Sequence, residues 1–134
     1  MDLASTLDTA WGFQVDECKT LYDQSVVLAG EECYEAALTK CNQALAVQPD
    51  SYKALVFRGV ILIQLGDYEA AIASCDQVLA ISPDEKAWIV RGAALNYLGR
   101  YKQSYASYER ALGIQRQSRW QKLTQVLKGK AIDN

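Results

Sequence analysis

Apolar residues recur along the chain at intervals of three and four positions, which is the spacing that places side chains on one side of an α-helix. One such stretch covers residues 52–64 and a second covers residues 68–81. Gly66 and Asp67 separate the two stretches, and Pro83 follows the second. Glycine in a turn and proline after a helix both interrupt regular structure. The pattern therefore predicts two helices joined by a short turn.

This helix pair is repeated along the sequence. Residues 87–114, moved back by 33 positions, match residues 54–81 at 11 of 28 positions. Residues 53–83, moved back by 34 positions, match residues 19–49 at 13 of 31. A period of this length is typical of helical repeat arrays. One helix pair cannot bury its apolar side alone, so we expect three copies to stack and share a continuous core.

Small residues occur twelve positions apart, one on each helix of every pair. The pairs are Ser25 with Ala37, Gly59 with Ala71, and Gly92 with Ser104. Because small side chains let two helix backbones approach closely, we predict that the helices of each pair touch at these positions. Before the third copy, Ser82, Pro83 and Glu85 fit a capping box in which Ser82 is the N-cap residue.

The repeat resembles the tetratricopeptide repeat, whose pattern combines a glycine in the first helix, a Gly-x-Tyr turn, small residues in the second helix and a closing proline. The middle copy carries this pattern as Leu55, Gly59, Leu62, Gly66, Tyr68, Ala71, Cys75, Val78 and Pro83. Two positions depart from it: Glu32 stands for the turn glycine of the first copy, and Arg116 for the proline of the third. Without that proline, the last helix is free to continue or to turn differently.

The resemblance implies an all-α fold, a right-handed helical solenoid of three repeats with an N-terminal helix and a C-terminal capping helix. We expect one domain spanning residues 1–134. Its expected parts are an N-terminal helix at 2–16, repeats at 18–51, 52–84 and 85–116, and a capping helix at 117–130.

Both ends carry amphipathic segments, and each has two interpretations. Residues 2–16 place an apolar stripe at i+4 spacing, formed by Leu3, Leu7, Trp11 and Val15. This stripe either covers the first repeat or forms an arm that docks on another copy or in the chain's own groove. Residues 116–128 place apolar side chains among bases, namely Trp120, Leu123, Val126 and Leu127. They resemble a capping helix, and the alternative is weak peripheral contact with a membrane surface or an acidic partner.

In tetratricopeptide arrays, the first helix of each repeat lines a concave groove, and ligand contacts commonly come from fixed positions of the repeat. The resemblance therefore implies a partner-binding set consisting of Lys19, Tyr22, Val26, Lys53, Val56, Val60, Ile63, Gln64, Lys86, Ile89, Ala93, Asn96 and Tyr97. The centre of this set is apolar and one edge carries its three lysines. We expect a protein or peptide partner, bound as an amphipathic helix or an extended segment with acidic groups. The alternative is that tighter superhelical packing buries part of the groove.

A sharper hypothesis from the same resemblance is the clamp for a C-terminal carboxylate, which needs Lys, Asn and Arg at set positions. Those positions hold Tyr22, Val26, Phe57, Lys86 and Val90. Only Lys86 fits, so recognition of a terminal carboxylate by that mechanism is not expected.

The composition argues against catalysis. The 134 residues include no histidine, which is the commonest general base and metal ligand, and the four cysteines form no C-x-x-C pair. We therefore expect no enzyme activity, no cofactor and no metal, with the cysteines acting as small buried apolar residues. The net charge of −2 offers no field for nucleic acid. With neither a secretory signal nor a long apolar stretch, the sequence predicts a cytoplasmic protein without a membrane span.

The charges are distributed unevenly along the chain. Residues 1–50 carry nine acids and two bases, whereas residues 101–134 carry two acids and seven bases. The simplest interpretation is that these are solvated faces. The alternative is a homo-oligomer, a self-associating scaffold joined by its acidic N-terminal end and basic C-terminal end or by exchange of the terminal helices.

Overall fold

The fold is a stack of three helix pairs. The computed structural model describes the backbone from Leu3 to Ile132 and the side chains of residues 16–129, and every regular element in that part is an α-helix. The helices are α1 (Leu3–Gly30), α2 (Tyr34–Val47), α3 (Tyr52–Gln64), α4 (Tyr68–Leu79), α5 (Glu85–Tyr97) and α6 (Tyr101–Ile132). Helices α1 and α2, α3 and α4, and α5 and α6 form the pairs. Each pair packs on the next through α2 with α3 and α4 with α5. The predicted all-α repeat array is confirmed.

The same turn joins the two helices of every pair. After α3, the Asp67 N–H donates to the Leu62 carbonyl at 2.8 Å, which is the wide bond of a Schellman motif. The motif needs one residue with positive φ, and Gly66 provides it at 81°. Gly99 does the same after α5 at 78°, but Glu32 fills the position after α1 at 62°. A side chain at such a φ is strained, so the first turn is the least favourable of the three.

The helices of each pair touch at the predicted small residues. Ser25 Oγ donates to the Ala37 carbonyl at 2.7 Å, and Ser104 Oγ donates to the Gly92 carbonyl at 2.7 Å. The hydroxyl thus comes from the first helix in one pair and from the second helix in the other. In the middle pair, a Cβ added to Gly59 would lie 3.5 Å from the facing backbone carbonyl oxygen. Only small residues fit at this spacing, so the prediction of close approach is confirmed.

Arginines link neighbouring repeats. Arg91 Nε donates to Asp76 Oδ1 on the preceding helix α4 at 2.8 Å, and its second nitrogen donates to buried Ser107 of its own repeat at 2.8 Å. Arg58 makes the equivalent contacts one repeat earlier, to a buried serine at 2.9 Å and to an asparagine at 3.4 Å. Each guanidinium therefore contacts the second helices of two successive pairs.

The start of α5 differs from the prediction. The N-cap residue is Asp84 instead of Ser82, and its carboxylate accepts the Ala87 N–H at 2.8 Å. The helix therefore begins two residues later than predicted, and Pro83 lies before the N-cap residue instead of in the first turn.

The terminal segments also differ from the prediction, since neither is a separate helix. Helix α1 runs for 28 residues without a break between the predicted N-terminal helix and the first repeat. Helix α6 has 32 residues and continues without a break beyond Arg116. Arg116 stands there in place of the family's closing proline, and no Gly-x-Tyr turn follows, so the helix continues as the departure allowed. A helix that continues straight cannot fold back over the last repeat, and Trp120 is accordingly 67% exposed. The expected capping contact is therefore not formed.

Two further predictions have mixed outcomes. Three cysteines are buried, but Cys33 is exposed at the N-cap position of α2. The side chains of the apolar stripe at residues 3–15 lie outside the described residues, so its role as a cover or an arm stays a prediction.

Candidate peptide-binding groove

A groove of about 590 Å³ runs along the first helices of the three pairs. Its floor is apolar and comes from α1, α3 and α5, which present the same side of successive repeats. The lining residues are Tyr22, Tyr52, Lys53, Val56, Phe57, Val60, Asp84, Glu85, Lys86, Ile89 and Val90. The groove exists because the first helices lie next to one another in the stack. Helix α3 contacts α5, and Tyr22 of α1 contacts Phe57 of α3.

The structure brings together six of the thirteen residues predicted from the sequence. These are Tyr22, Lys53, Val56, Val60, Lys86 and Ile89. Their side chains range from half-buried to exposed, and Ile89 is 44% exposed. An isoleucine that is exposed in the wall of a groove is available to an apolar partner. The role of these residues in binding stays a prediction.

The other seven predicted residues lie outside the groove lining. They are Lys19, Val26, Ile63, Gln64, Ala93, Asn96 and Tyr97. Ile63 is half-buried against the core. Tyr97 stacks on Tyr68 with ring centroids 5.0 Å apart, so its ring belongs to the contact between two turns. Lys19 and Val26 are exposed on α1.

Five lining residues were not predicted. Phe57 contacts Tyr22 edge to face with ring centroids 5.7 Å apart, and Val90 takes the position of Phe57 in the next repeat. Both lie next to predicted residues on the same helix, so a wider apolar face would have included them. The others, Tyr52, Asp84 and Glu85, lie at the starts of α3 and α5. In the sequence, these three residues are distinguished only by lying at the start of a first helix.

The charges in the groove are more balanced than predicted. Lys53 and Lys86 lie in the lining, but Asp84 and Glu85 lie there too. The Asp84 carboxylate is already engaged in capping α5, where it accepts the Ala87 N–H. Burial raises the pKa of the Tyr22 phenol, with Cys41 and Asp23 adding smaller effects in the same direction, so this hydroxyl stays protonated and can donate a hydrogen bond.

The described metal-ligating side chains and two buried cysteines bear on chemistry other than binding. Within the part of the chain with described side chains, no group of three metal-ligating side chains could hold an ion. Burial raises the pKa of Cys41 to about 11 and that of Cys75 to about 12, more than nearby arginines lower them, so these thiols are poor nucleophiles. None of the described helices has the length and apolar character to cross a bilayer.

Comparison with protein families settles the class of this repeat. A model described as tetratricopeptide repeat matches residues 22–86, and a second model with the same description matches residues 85–118. The chain belongs to the tetratricopeptide repeat family. The family predicted from the sequence is therefore confirmed. No curated protein matches the sequence significantly.

Solved tetratricopeptide repeat structures have the same fold. The second such domain of Spaghetti (RPAP3), bound to the HSP90 peptide SRMEEVD, has a TM-score of 0.69 and 22% identity and covers 75% of this chain and 96% of its own. The Arabidopsis OM64 domain has a TM-score of 0.74 and 19% identity, covering 78% and 87%. The Sgt2 domain from Aspergillus fumigatus has a TM-score of 0.72 and 21% identity, covering 88% and 83%.

Proposed function

We propose that this tetratricopeptide repeat protein is a non-catalytic interaction module that binds a peptide or a partner helix in the groove along α1, α3 and α5. The observation that carries the proposal is the open apolar floor of the groove, in which Ile89 is 44% exposed. Exposed apolar surface of this kind marks sites where another molecule binds. The Spaghetti (RPAP3) domain, which has the same fold, binds an HSP90 peptide.

The groove chemistry indicates what the partner carries. Val56, Val60 and Ile89 provide contacts for apolar side chains. Lys53 and Lys86 attract acidic groups, while the neighbouring Asp84 and Glu85 limit the number of acids the groove tolerates. We therefore infer a partner with two or three apolar anchors and acidic residues between or beside them.

A terminal carboxylate is not part of the inferred partner. At the positions of the carboxylate clamp, Phe57 and Tyr22 pack edge to face and Val90 lies in the groove lining. These side chains offer no amide or guanidinium group to a carboxylate. Of the five clamp positions, only the one held by Lys86 carries a cation. Internal segments of a partner should therefore bind as well as C-terminal ones.

A displayed library of random short peptides tests the proposal directly. Selection on the wild-type protein should enrich apolar-acidic peptides, and the variant Ile89→Glu should lose their binding at least tenfold. Val26→Glu is the matched control, because Val26 is 40% exposed but lies outside the groove. Enrichment of no peptide, or equal loss in both variants, would contradict the proposal.

The lysines allow a second comparison. Lys86→Glu should weaken the selected peptides, and the loss should shrink at high salt because exposed charges are screened. Lys19→Glu makes the same charge change on α1 outside the groove and should leave binding close to wild type. Equal effects of the two variants would mean that the overall charge, and not the groove, governs binding.

A further inference from the structure

The two ends of the stack present surfaces that correspond to an internal junction. At each internal junction the second helix of one repeat packs on the first helix of the next, as α2 does on α3 and α4 on α5. Helix α6 is the second helix of the last pair, and α1 is the first helix of the first pair. Among the described residues, no helix covers the side of α6 or α1 that corresponds to a junction.

The rear face lies on α6 and consists of Tyr105, Leu112, Arg116 and Arg119. Tyr105 occupies the repeat position of Ile72, which is 8% exposed at its own junction. Tyr105 itself is 67% exposed and Leu112 is 47% exposed. The two arginines continue the same side of the helix, because they follow Leu112 at intervals of four and seven residues. Glu109 occupies the repeat position of Asp76 and adds one acid between Tyr105 and Leu112. The rear face therefore combines uncovered apolar side chains with a net positive charge.

The front face lies on α1 and consists of Asp16, Thr20, Asp23 and Val27, which follow one another at intervals of three and four residues. Val27 occupies the repeat position of Ile61, and it is 60% exposed where Ile61 is fully buried. A hollow of about 550 Å³ beside α1 is lined by Thr20, Asp23, Gln24, Val27, Leu28 and Lys40, so one cation from α2 lies beside Asp23 and the face keeps a net negative charge. The front face therefore combines an uncovered apolar residue with negative charge.

We propose that the rear face of one copy packs on the front face of a second copy, head to tail. The internal junctions supply the alignment: a short loop joins α2 to α3, so the end of one helix lies beside the start of the next. In the same alignment, Arg116 and Arg119 approach Asp16, and Tyr105 approaches Val27. The opposite charges of the two faces select this pairing over front to front or rear to rear, in which like charges meet.

The residues of the two faces suit an association that forms and separates. Thr20 replaces an alanine that is buried at both internal junctions, and Tyr105 replaces Ile72. The Thr20 hydroxyl donates to the Asp16 carbonyl of its own helix at 2.8 Å, and Tyr105 is 67% exposed to solvent, so neither hydroxyl depends on a second copy for a partner. Because the two faces differ from each other, each copy that joins presents a new free face, so the assembly grows as an open chain unless it closes into a ring.

Light scattering on the 134-residue protein tests the proposal. The wild type should grow beyond two copies as concentration rises at low salt and should return towards one copy at high salt. A front variant, Asp16→Lys with Asp23→Lys, and a rear variant, Arg116→Glu with Arg119→Glu, should each remain single. An equal mixture of the two variants should grow again, since every junction in the mixture joins opposite charges.

Matched controls separate this proposal from the groove. Asp50→Lys with Glu35→Lys changes the charge by the same amount as the front variant at exposed positions outside both faces, and it should assemble like the wild type. Ile89→Glu should lose peptide binding and keep assembly. The proposal is overturned if the wild type stays single at low salt, if either face variant still assembles alone, or if the mixture stays single. A wild type that stays single but binds anionic vesicles would assign the basic end to a membrane surface instead.

Discussion

Gly92 is the position where the packing of a helix pair can be tested most sharply. It lies on α5 opposite α6, and its carbonyl accepts the Ser104 hydroxyl at 2.7 Å. A Cβ added to Gly92 would lie 2.6 Å from Cε1 of Tyr108 and 2.8 Å from its Cδ1. Real Cβ atoms do not approach other atoms so closely. The variant Gly92→Ala must therefore move the Tyr108 ring.

The expected cost follows from two opposing effects. Overpacking by one methyl group costs about 1–3 kcal/mol, while replacing glycine by alanine within a helix gains about 1 kcal/mol. We expect Gly92→Ala to lower the free energy of unfolding by about 0–2 kcal/mol, towards the upper end because the ring atoms are so close. Gly59→Ala is the matched control, because its Cβ would meet Val90 and Cys75 no closer than 3.1 Å. The control should lie within about 1 kcal/mol of the wild type.

A double-mutant cycle identifies the ring as the cause. Tyr108 occupies the position of Cys75, so Tyr108→Cys reproduces the environment of Gly59 around Gly92. In that background, the cost of Gly92→Ala should fall by about 1 kcal/mol or more. Urea unfolding followed by circular dichroism measures all four proteins. If Gly92→Ala is as stable as Gly59→Ala, or if Tyr108→Cys leaves its cost unchanged, the close approach of α5 and α6 at this point is wrong.

The remaining predictions concern the turns, one buried hydrogen bond and the cysteines. Glu32→Gly should raise the free energy of unfolding by about 0.5–1 kcal/mol in urea titration, because glycine adopts a positive φ without strain. Gly66→Ala should lower it by about 1 kcal/mol for the opposite reason, and equal effects of the two variants would refute the shared turn. Ser104→Ala should lower the melting temperature through loss of a buried hydrogen bond worth about 1 kcal/mol, and an unchanged melting temperature would refute that bond. Burial raises the pKa of Cys75 from 9.0 to about 12, so the folded chain holds this proton more tightly than the unfolded chain. The free energy of unfolding should therefore decline as pH rises from 9.0 towards 12, and the decline should be less steep in Cys75→Ala. A thiol reagent at neutral pH should label exposed Cys33 first, and faster labelling of Cys75 would contradict its burial.

The repeat unit could be predicted because it is specified by local chemistry that recurs in register. A glycine at positive φ, a small residue facing a helix backbone and apolar residues at helical spacing each leave a mark in the sequence. Three copies of these marks confirm one another. Even the departure at Glu32 was visible, and the structure shows the same turn there in spite of it.

The terminal helices and half of the groove could not be predicted for a common reason. Helical periodicity shows which side of a helix is apolar, but not what lies opposite. The segment with Trp120 has the stripe of a capping helix, yet nothing between Gly113 and Trp120 makes the chain turn back. Likewise, Phe57 and Asp84 line the groove beside the predicted positions, because the neighbouring first helix determines how wide a face the groove includes.

The arginines that reach across the junctions have a consequence for how the molecule unfolds. Arg91 contacts Asp76 of one repeat and Ser107 of another, so neither repeat can open without releasing a group that the other holds. Such coupling between neighbours makes a short array lose its structure in a single cooperative transition. Removal of the third repeat would accordingly weaken the second, because Asp76 would lose its ion pair with Arg91. We expect the three copies to unfold together.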